Sequence, residues 1–260
     1  FLTAAQKCNA AGFPFALPAG TTSDATDWIG AMFRSYGAEL VNAKGDITIR
    51  NNDKVKQVME YAARLFQHLP AEMFAADDAT NNRALISGRS ALIFNPPSAW
   101  AVAKRDAPDV ARNVWHFPSP MGPAGHPVPH LPYFYGIWSF SRNKPTAKVL
   151  LEHLSQTEQV QKLVEASSGY DIPPFASMTE EIRVWRDVEP PRGTVYNYPV
   201  RPHHKATPNV AFAPAPAEIA VQMYNQGIQA KMIARMVQNN EPIDRVLGWA
   251  TQEVEGFKRG

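Results

Sequence analysis

Two carboxylates, Asp24 and Asp27, stand three residues apart at the start of a predicted helix. Acidic side chains in a first helical turn cap the helix and interact favourably with its dipole, which is one explanation for both residues. The other explanation is that Asp24 or Asp27 accepts hydrogen bonds from the hydroxyl groups of a ligand. A glycosidase would need two facing carboxylates, commonly on separate strand ends, and the sequence neither supplies such a pair nor excludes it.

Histidines offer a second kind of chemistry, metal binding. The candidates are His116, His126, His130, His203 and His204. Neighbouring residues on a strand point in opposite directions, and no acidic residue lies at ligand spacing near the His203–His204 pair, so no metal or other cofactor is predicted. A carbohydrate hydrolase or lyase using Asp27 with His203 or His204 stays open as the alternative to a binding function. The sequence contains no nucleophile elbow, phosphate loop or zinc-protease motif.

Aromatic side chains lie in or beside many of the predicted turns. They are Trp100, Tyr133, Phe134, Tyr135, Trp138, Tyr170, Phe175, Tyr196, Tyr198 and Phe212. Aromatic rings suit the apolar faces of sugars, while Asp, Asn, Arg and Ser side chains satisfy sugar hydroxyls. Any one of these rings could serve packing alone, but their clustering favours a carbohydrate ligand.

A turn after residue 94 is expected to position part of the site. A short helix ends at Gly88, because glycine takes the left-handed conformation at little cost, and Ala91–Phe94 is predicted to be a buried strand. Asn95-Pro96-Pro97 ends this strand, since proline cannot continue a ladder. Ser98 and Trp100 then follow the carboxyl end of the strand, a usual place for a ligand crevice; the alternative is that Trp100 packs in the core.

Apolar residues that recur at three- and four-residue steps predict the helices that carry these segments. The predicted helices cover about residues 1–12, 24–37, 52–69, 78–87, 143–154, 157–166, 216–239 and 241–257. In the helix that begins near Asn143, the core face is expected to be Leu150, Leu151 and Leu154. Residues 170–216 are mostly irregular, and a segment of that length with many aromatics is expected to be functional.

Composition limits the class of function. The 260 residues carry a net charge of +2 with 19% charged side chains, so no nucleic-acid partner is predicted. The single Cys8 excludes an internal disulfide. No stretch approaches the roughly 20 apolar residues that span a bilayer. The chain begins without Met or a signal sequence, and we therefore expect it to be a piece of something longer.

A series of short motifs runs in a recognisable order along the chain. They are Trp28, Tyr36-Gly37, Leu85-Ile-Ser-Gly-Arg-Ser-Ala-Leu92, Phe117-Pro-Ser-Pro120, Gly122-Pro-Ala-Gly125, Asn143-Lys144, Ser155-Gln-Thr-Glu158, and Gly169 with Pro173-Pro174. In order and spacing the sequence resembles the extracellular solute-binding proteins of ABC importers, in the sugar-binding group that includes maltose-binding protein.

The resemblance implies an α/β fold of the periplasmic-binding-protein type, with two lobes, crossing hinge segments and an incomplete N-terminal lobe. Residues 1–113 would form the first part of the ligand-binding lobe. Residues 114–170 would be the remnant of the N-terminal lobe, and residues 171–260 would return to the first lobe with the C-terminal helices. An exposed sheet edge in the incomplete lobe makes self-association of the chain an expectation.

The resemblance also implies a function without catalysis. The protein would capture a small sugar or polyol in an interlobe cleft in the periplasm and deliver it to a permease in the inner membrane. By the same resemblance, the helix start near Asp24, the Tyr135-Gly136 strand and the segment from Phe212 to Glu218 would face the cleft. Members of the family often carry Gly-Pro-Trp where this chain has Pro96-Pro97-Ser98. Ser98 therefore takes the position of the stacking tryptophan. The predicted ligand-binding residues are Asp24, Asp27, Asn95, Ser98, Trp100, Tyr135, Gly136, Phe212 and Glu218.

Overall fold

The structure is a computed structural model that describes residues 1–117, 119–127, 129, 134–173, 175–179 and 214–258. The described helices are α1 (Leu2–Ala10), α2 (Ser23–Tyr36), α3 (Asp53–Phe66), α4 (Thr80–Ile86), α5 (Ser98–Asp106), α6 (Pro108–Ala111), α7 (Lys144–Leu154), α8 (Thr157–Ala166), α9 (Ala217–Asn225), α10 (Ile228–Val237) and α11 (Ile243–Phe257). None of them is long and apolar enough to cross a membrane.

The chain divides into two compact units. Unit 1 consists of Phe1–Asn95, Pro118–Pro129 and Ala206–Gly260, and unit 2 of Pro96–Phe117 and His130–Lys205. The lobe boundaries inferred from the resemblance, near residues 113 and 170, stay a prediction.

Helix ends in unit 1 follow local chemistry. The side chain of Thr22 accepts a hydrogen bond from the backbone N–H of Ala25 and so caps α2. Gly37 ends α2 in the left-handed conformation, with φ of 68°. Asn52 caps α3 by accepting from the N–H of Lys54. The structure thus confirms both ends of α2 and the start of α3, whereas α3 ends at Phe66, before the predicted end near residue 69.

The core of unit 1 is built where helices α2, α3, α10 and α11 pack together. Ile29 of α2, Leu65 of α3 and Met232 of α10 are fully buried there. Trp28 stacks on Phe66, with ring centroids 5.8 Å apart. These side chains belong to the apolar faces on which the helix predictions rested, and α2 is held by its neighbours on the face opposite its polar residues.

Strand content is low in the part of the chain described, where extended segments meet only at isolated bridges. The predicted buried strand Ala91–Phe94 is wrong: Ile93 forms one parallel bridge with Ala16, and Ala91 is exposed. The N–H of Ala16 donates to the carbonyl of Leu92 at 3.0 Å. The Oγ of Ser90 shares both groups, since it accepts from the N–H of Ala16 at 2.9 Å and donates to the carbonyl of Leu92 at 2.8 Å.

A second correction concerns the helix predicted for residues 216–239. The structure has two helices there, α9 and α10, separated at Gly227 with φ of 58°. A residue in the left-handed conformation cannot continue a right-handed helix. The helical spacing of apolar residues continues across Gly227, and it therefore did not reveal that the backbone helix is interrupted there.

In unit 2, α5 and α6 pack together, and α7 contacts α8. Val160 and Val164 of α8 are buried. The predicted core face of α7 is wrong, because the helix has no buried residue, and the side chains of Leu150 and Leu154 are 55% and 44% exposed. Its contacts with α8 leave that face open to solvent.

Candidate functional site

The amino end of α2 brings Asp24 together with a segment more than fifty residues away. The backbone N–H of Asp24 donates to Oδ1 of Asp78 at 3.0 Å, and the hydroxyl of Ser23 donates to Oδ2 of Asp78 at 3.0 Å. Asp78 and Thr22 therefore satisfy the N–H groups of Asp24 and Ala25 in the first turn. The carboxylate of Asp24 therefore does not cap the helix, which was one of the two explanations that the sequence offered for it.

That carboxylate instead meets Asn81 of α4. The Nδ2 atom of Asn81 lies 2.8 Å from Oδ2 of Asp24, 3.2 Å from the carbonyl oxygen of Phe94 and 3.2 Å from Oδ1 of Asn95. Asn81 is completely buried. One amide thus connects two residues predicted to bind ligand, Asp24 and Asn95.

Burial of Asp24 raises its pKa from 3.8 to about 6. The hydrogen bond from Asn81 acts in the opposite direction, and the negative charges of Asp78 and Asp27 raise the pKa further. Near neutral pH, Asp24 is an ionised acceptor in a partly desolvated position. Such a group gains more from a ligand hydroxyl than a fully hydrated carboxylate does.

Tyr224 of α9 adds a phenol to the same region. Its hydroxyl hydrogen-bonds to Asp27, and burial together with the charges of Asp27, Asp78 and Asp24 raises the pKa of Tyr224 to about 12. We call Asp24, Asp27, Asp78, Asn81, Asn95 and Tyr224 the polar cluster. All six residues belong to unit 1.

Sequence reasoning found Asp24, Asp27 and Asn95 but missed the other three members of the cluster. A signal existed for Asn81, because asparagine inside a helix is unfavourable unless its side chain has a task. No local signal marks Asp78 or Tyr224, which reach the cluster through the tertiary fold.

The remaining predicted site residues lie elsewhere in the chain. Glu218 is exposed in the first turn of α9. Ser98 begins α5, while Tyr135 and Gly136 are exposed in unit 2. Phe212 lies outside the described residues.

Trp100 packs in the core, which was the alternative to a ligand contact in the sequence analysis. It is 1% exposed, and its indole N–H donates to the carbonyl of Ala111 at 3.2 Å. The ring of His116 meets it edge-on, with ring centroids 6.5 Å apart. Trp100 therefore packs in the core of unit 2, because the helix that begins at Ser98 turns it inward.

The structure describes only some of the histidines that were considered for metal binding or catalysis. Burial lowers the pKa of His116 to about 4, so this side chain is neutral near pH 7. His130, His203 and His204 lie outside the described residues, as does the proposed pairing of Asp27 with His203 or His204. Among the residues described, no group of three His, Cys, Asp or Glu side chains could hold a metal ion.

Comparison with known proteins places these features in a family. Residues 1–191 match the model of a family described as bacterial extracellular solute-binding protein. No curated protein matches the chain at a significant level.

Two solved structures are similar over 98% of this chain. One is an ABC transporter solute-binding protein from Thermotoga lettingae TMO bound with alpha-D-tagatose, with 14% identity and a TM-score of 0.68. The other is maltose-bound T. maritima MalE3, with 16% identity and a TM-score of 0.69. The chain spans 63% of the length of each. At this level of identity the similarity shows the fold alone. It is the fold of the periplasmic binding proteins, of which this chain spans a helix-rich portion.

Proposed function

Because the chain belongs to the family of bacterial extracellular solute-binding proteins, we propose that it is the substrate-binding component of an ABC importer and binds a small sugar or polyol. The ligand would pass to a permease in the inner membrane, and the protein would work in the periplasm. Since the similar solved structures are solute-binding proteins, the proposed activity is binding without a catalytic step.

The polar cluster is the observation that supports a hydroxylated ligand. Asp24 and Asn95 present carboxylate and amide oxygens from two separate segments, and Asn81 links them within hydrogen-bond distance. Carboxylate and amide groups bind sugar hydroxyls as acceptors and, for the amide, as donors. The two similar structures were solved with tagatose and with maltose, and sugars of this kind therefore come first as candidate ligands.

Within unit 1 we propose that Asp24, Asp27 and Asn95 contact the ligand directly. Asp78 holds the helix end, and Tyr224 holds Asp27. The other predicted contacts stay proposals, except for the buried Trp100: Ser98, Tyr135, Gly136, Phe212 and Glu218. Self-association of the chain is also a proposal, and native mass spectrometry would measure it.

A thermal-shift screen tests the function. The protein is heated with maltose, alpha-D-tagatose, further mono- and disaccharides, polyols and amino acids. A ligand present at one hundred times its Kd stabilises the folded state by about 2.7 kcal/mol. For a chain of this size that raises the Tm by about 5–11 °C.

A matched pair of variants makes the screen specific for the polar cluster. Asp24→Asn should reduce the response to the sugar, while Asp244→Asn, at a side chain that is 86% exposed, should not. Stabilisation by an amino acid and by no sugar or polyol would contradict the ligand class. Turnover of a glycoside that is lost in Asp27→Asn would replace the binding function by a hydrolase.

A further inference from the structure

We propose that Asn81 is a positioning residue of the ligand site, whose buried amide fixes the Asp24 carboxylate and the Asn95 side chain relative to each other. Its effect on a ligand rests on the proposed function. Its effect on Asp24 can be measured without any ligand.

The contacts of Asn81 join three segments of unit 1. Asp24 stands in the first turn of α2, Asn81 stands in α4, and Phe94 and Asn95 follow the bridge to Ala16. The bonds from Asn81 to Asp24 and to Asn95 span 57 and 14 residues of sequence. Because Asn81 is completely buried, water cannot take over these contacts without a change in packing.

The orientation of the Asn81 amide is set by the backbone. Its Oδ1 accepts from the N–H of Asn82 at 2.8 Å, which turns Nδ2 toward the Asp24 carboxylate. The reverse orientation would place an amide oxygen against a carboxylate oxygen. The amide carries two hydrogens for three acceptors, and the bond to the charged group is the shortest of the three. Asp24 is thus the principal partner.

Electrostatics gives this contact its importance. The groups that face Asp24 are Asp27 on the same helix, Asp78 from the segment before α4, and Tyr224 from α9. The charges of Asp27 and Asp78 oppose ionisation of Asp24, and burial of Asp24 opposes it most strongly. Asn81 is the neighbour that favours the ionised form. Without it, Asp24 would be protonated over more of the physiological pH range.

The test compares two neighbouring asparagines on one helix. Asn81→Leu removes the donor and keeps the branched shape of the side chain, and Asn82→Leu makes the same change at a half-buried residue that does not bond to Asp24. Titration of the Asp24 carboxyl is followed by carbon-13 NMR in the ligand-free protein, with Asp24→Asn to assign the signal. We expect the pKa of Asp24 to rise by about one in Asn81→Leu, a tenfold change in its protonation equilibrium, and to stay unchanged in Asn82→Leu. An unchanged pKa in folded Asn81→Leu overturns the proposal.

A second measurement needs no substitution at Asn81 and covers the case in which that variant does not fold. In the unmodified protein, the side-chain nitrogen-15 signal of Asn81 should move with pH at the midpoint of the Asp24 titration, about 6. The movement should vanish in Asp24→Asn. A signal that does not respond to pH refutes the contact.

The Kd for maltose and for alpha-D-tagatose, measured across the same pH range, separates this proposal from the function. If either sugar binds, the midpoint of its pH profile should rise in Asn81→Leu together with the pKa of Asp24. If neither sugar binds while the pKa responds as expected, the choice of sugar fails and the positioning of Asp24 by Asn81 stands.

Discussion

Replacing Asp24 by asparagine should stabilise the folded protein while weakening the proposed binding of sugar. The raised pKa of Asp24 means that the folded state binds its proton more tightly than the unfolded chain does. The stability that this proton provides is complete below the unfolded pKa of 3.8 and is lost as the pH rises through the folded pKa of about 6. Above that value the protein carries a charge that its fold disfavours. Asparagine removes the charge and keeps an oxygen that can accept from Asn81.

The size of the effect follows from the two pKa values. A rise from 3.8 to about 6 corresponds to about 3 kcal/mol. Because Asp24 is only partly buried, solvent screening reduces the expected gain to about 1–2 kcal/mol. In a chain of this length that raises the Tm by about 2–8 °C. At about pH 4.5 roughly two thirds of the gain should be gone, since most of the Asp24 population in the unmodified protein is then protonated.

Urea unfolding of both proteins at about pH 8 and about pH 4.5 measures the difference in unfolding free energy. Asp244→Asn serves as the control, and its change should stay within about 0.5 kcal/mol because the side chain is 86% exposed. A gain that is equal at both pH values would refute the electrostatic explanation. A loss of stability at about pH 8 would show that the carboxylate makes contacts worth more than the cost of its charge. If Asp24 binds ligand as proposed, its cost in stability is a trade between binding and folding.

Three further predictions follow. If only the ionised form of Asp24 binds a sugar, titration calorimetry should show that the affinity falls about tenfold from about pH 8 to about pH 5. The reason is that only about a tenth of Asp24 is ionised at about pH 5, and an affinity that does not change with pH would contradict this. Gly122→Ala should lower the unfolding free energy by about 1–3 kcal/mol, since its Cβ would lie 2.5 Å from the backbone oxygen of Ser35, whereas Gly256→Ala, with open space around it, should be neutral or slightly stabilising in the same urea assay. Trp100→Phe should cost about 1–3 kcal/mol, because the Ala111 carbonyl loses the indole N–H and keeps only the longer bond from the N–H of Val114, at 3.4 Å; an unchanged urea midpoint would show that the indole bond contributes nothing.

Much of the helical structure could be predicted because its determinants are local. Gly37 and the cap at Asn52 lie beside the turns that they end or begin, so the sequence reveals them directly. The spacing of apolar residues was a less reliable guide to how the helices pack against other parts of the chain. It did not reveal the break at Gly227, and it could not show that Leu150 would be left exposed, since burial depends on what packs against a helix.

The site residues were likewise predicted only in part. Asp24 and Asn95 stood out as polar groups beside predicted turns, and the structure connects them. Trp100 stood out equally, yet it is buried. Residue type and a nearby turn cannot distinguish a ring that faces a ligand from one that closes a core, because a shift of one or two residues in the start of a helix reverses the direction of the side chain.

By itself, the sequence determined where most helices lie, how they end and which family the chain resembles, since these depend on residues within a few positions of each other. Only the tertiary structure decided that Asn81 meets Asp24 and that Tyr224 meets Asp27. Those pairs are distant along the chain, and their hydrogen bonds exist because helix packing brings separate segments within about 3 Å. The same packing buries Asp24, and its raised pKa is therefore a property of the fold rather than of the residue.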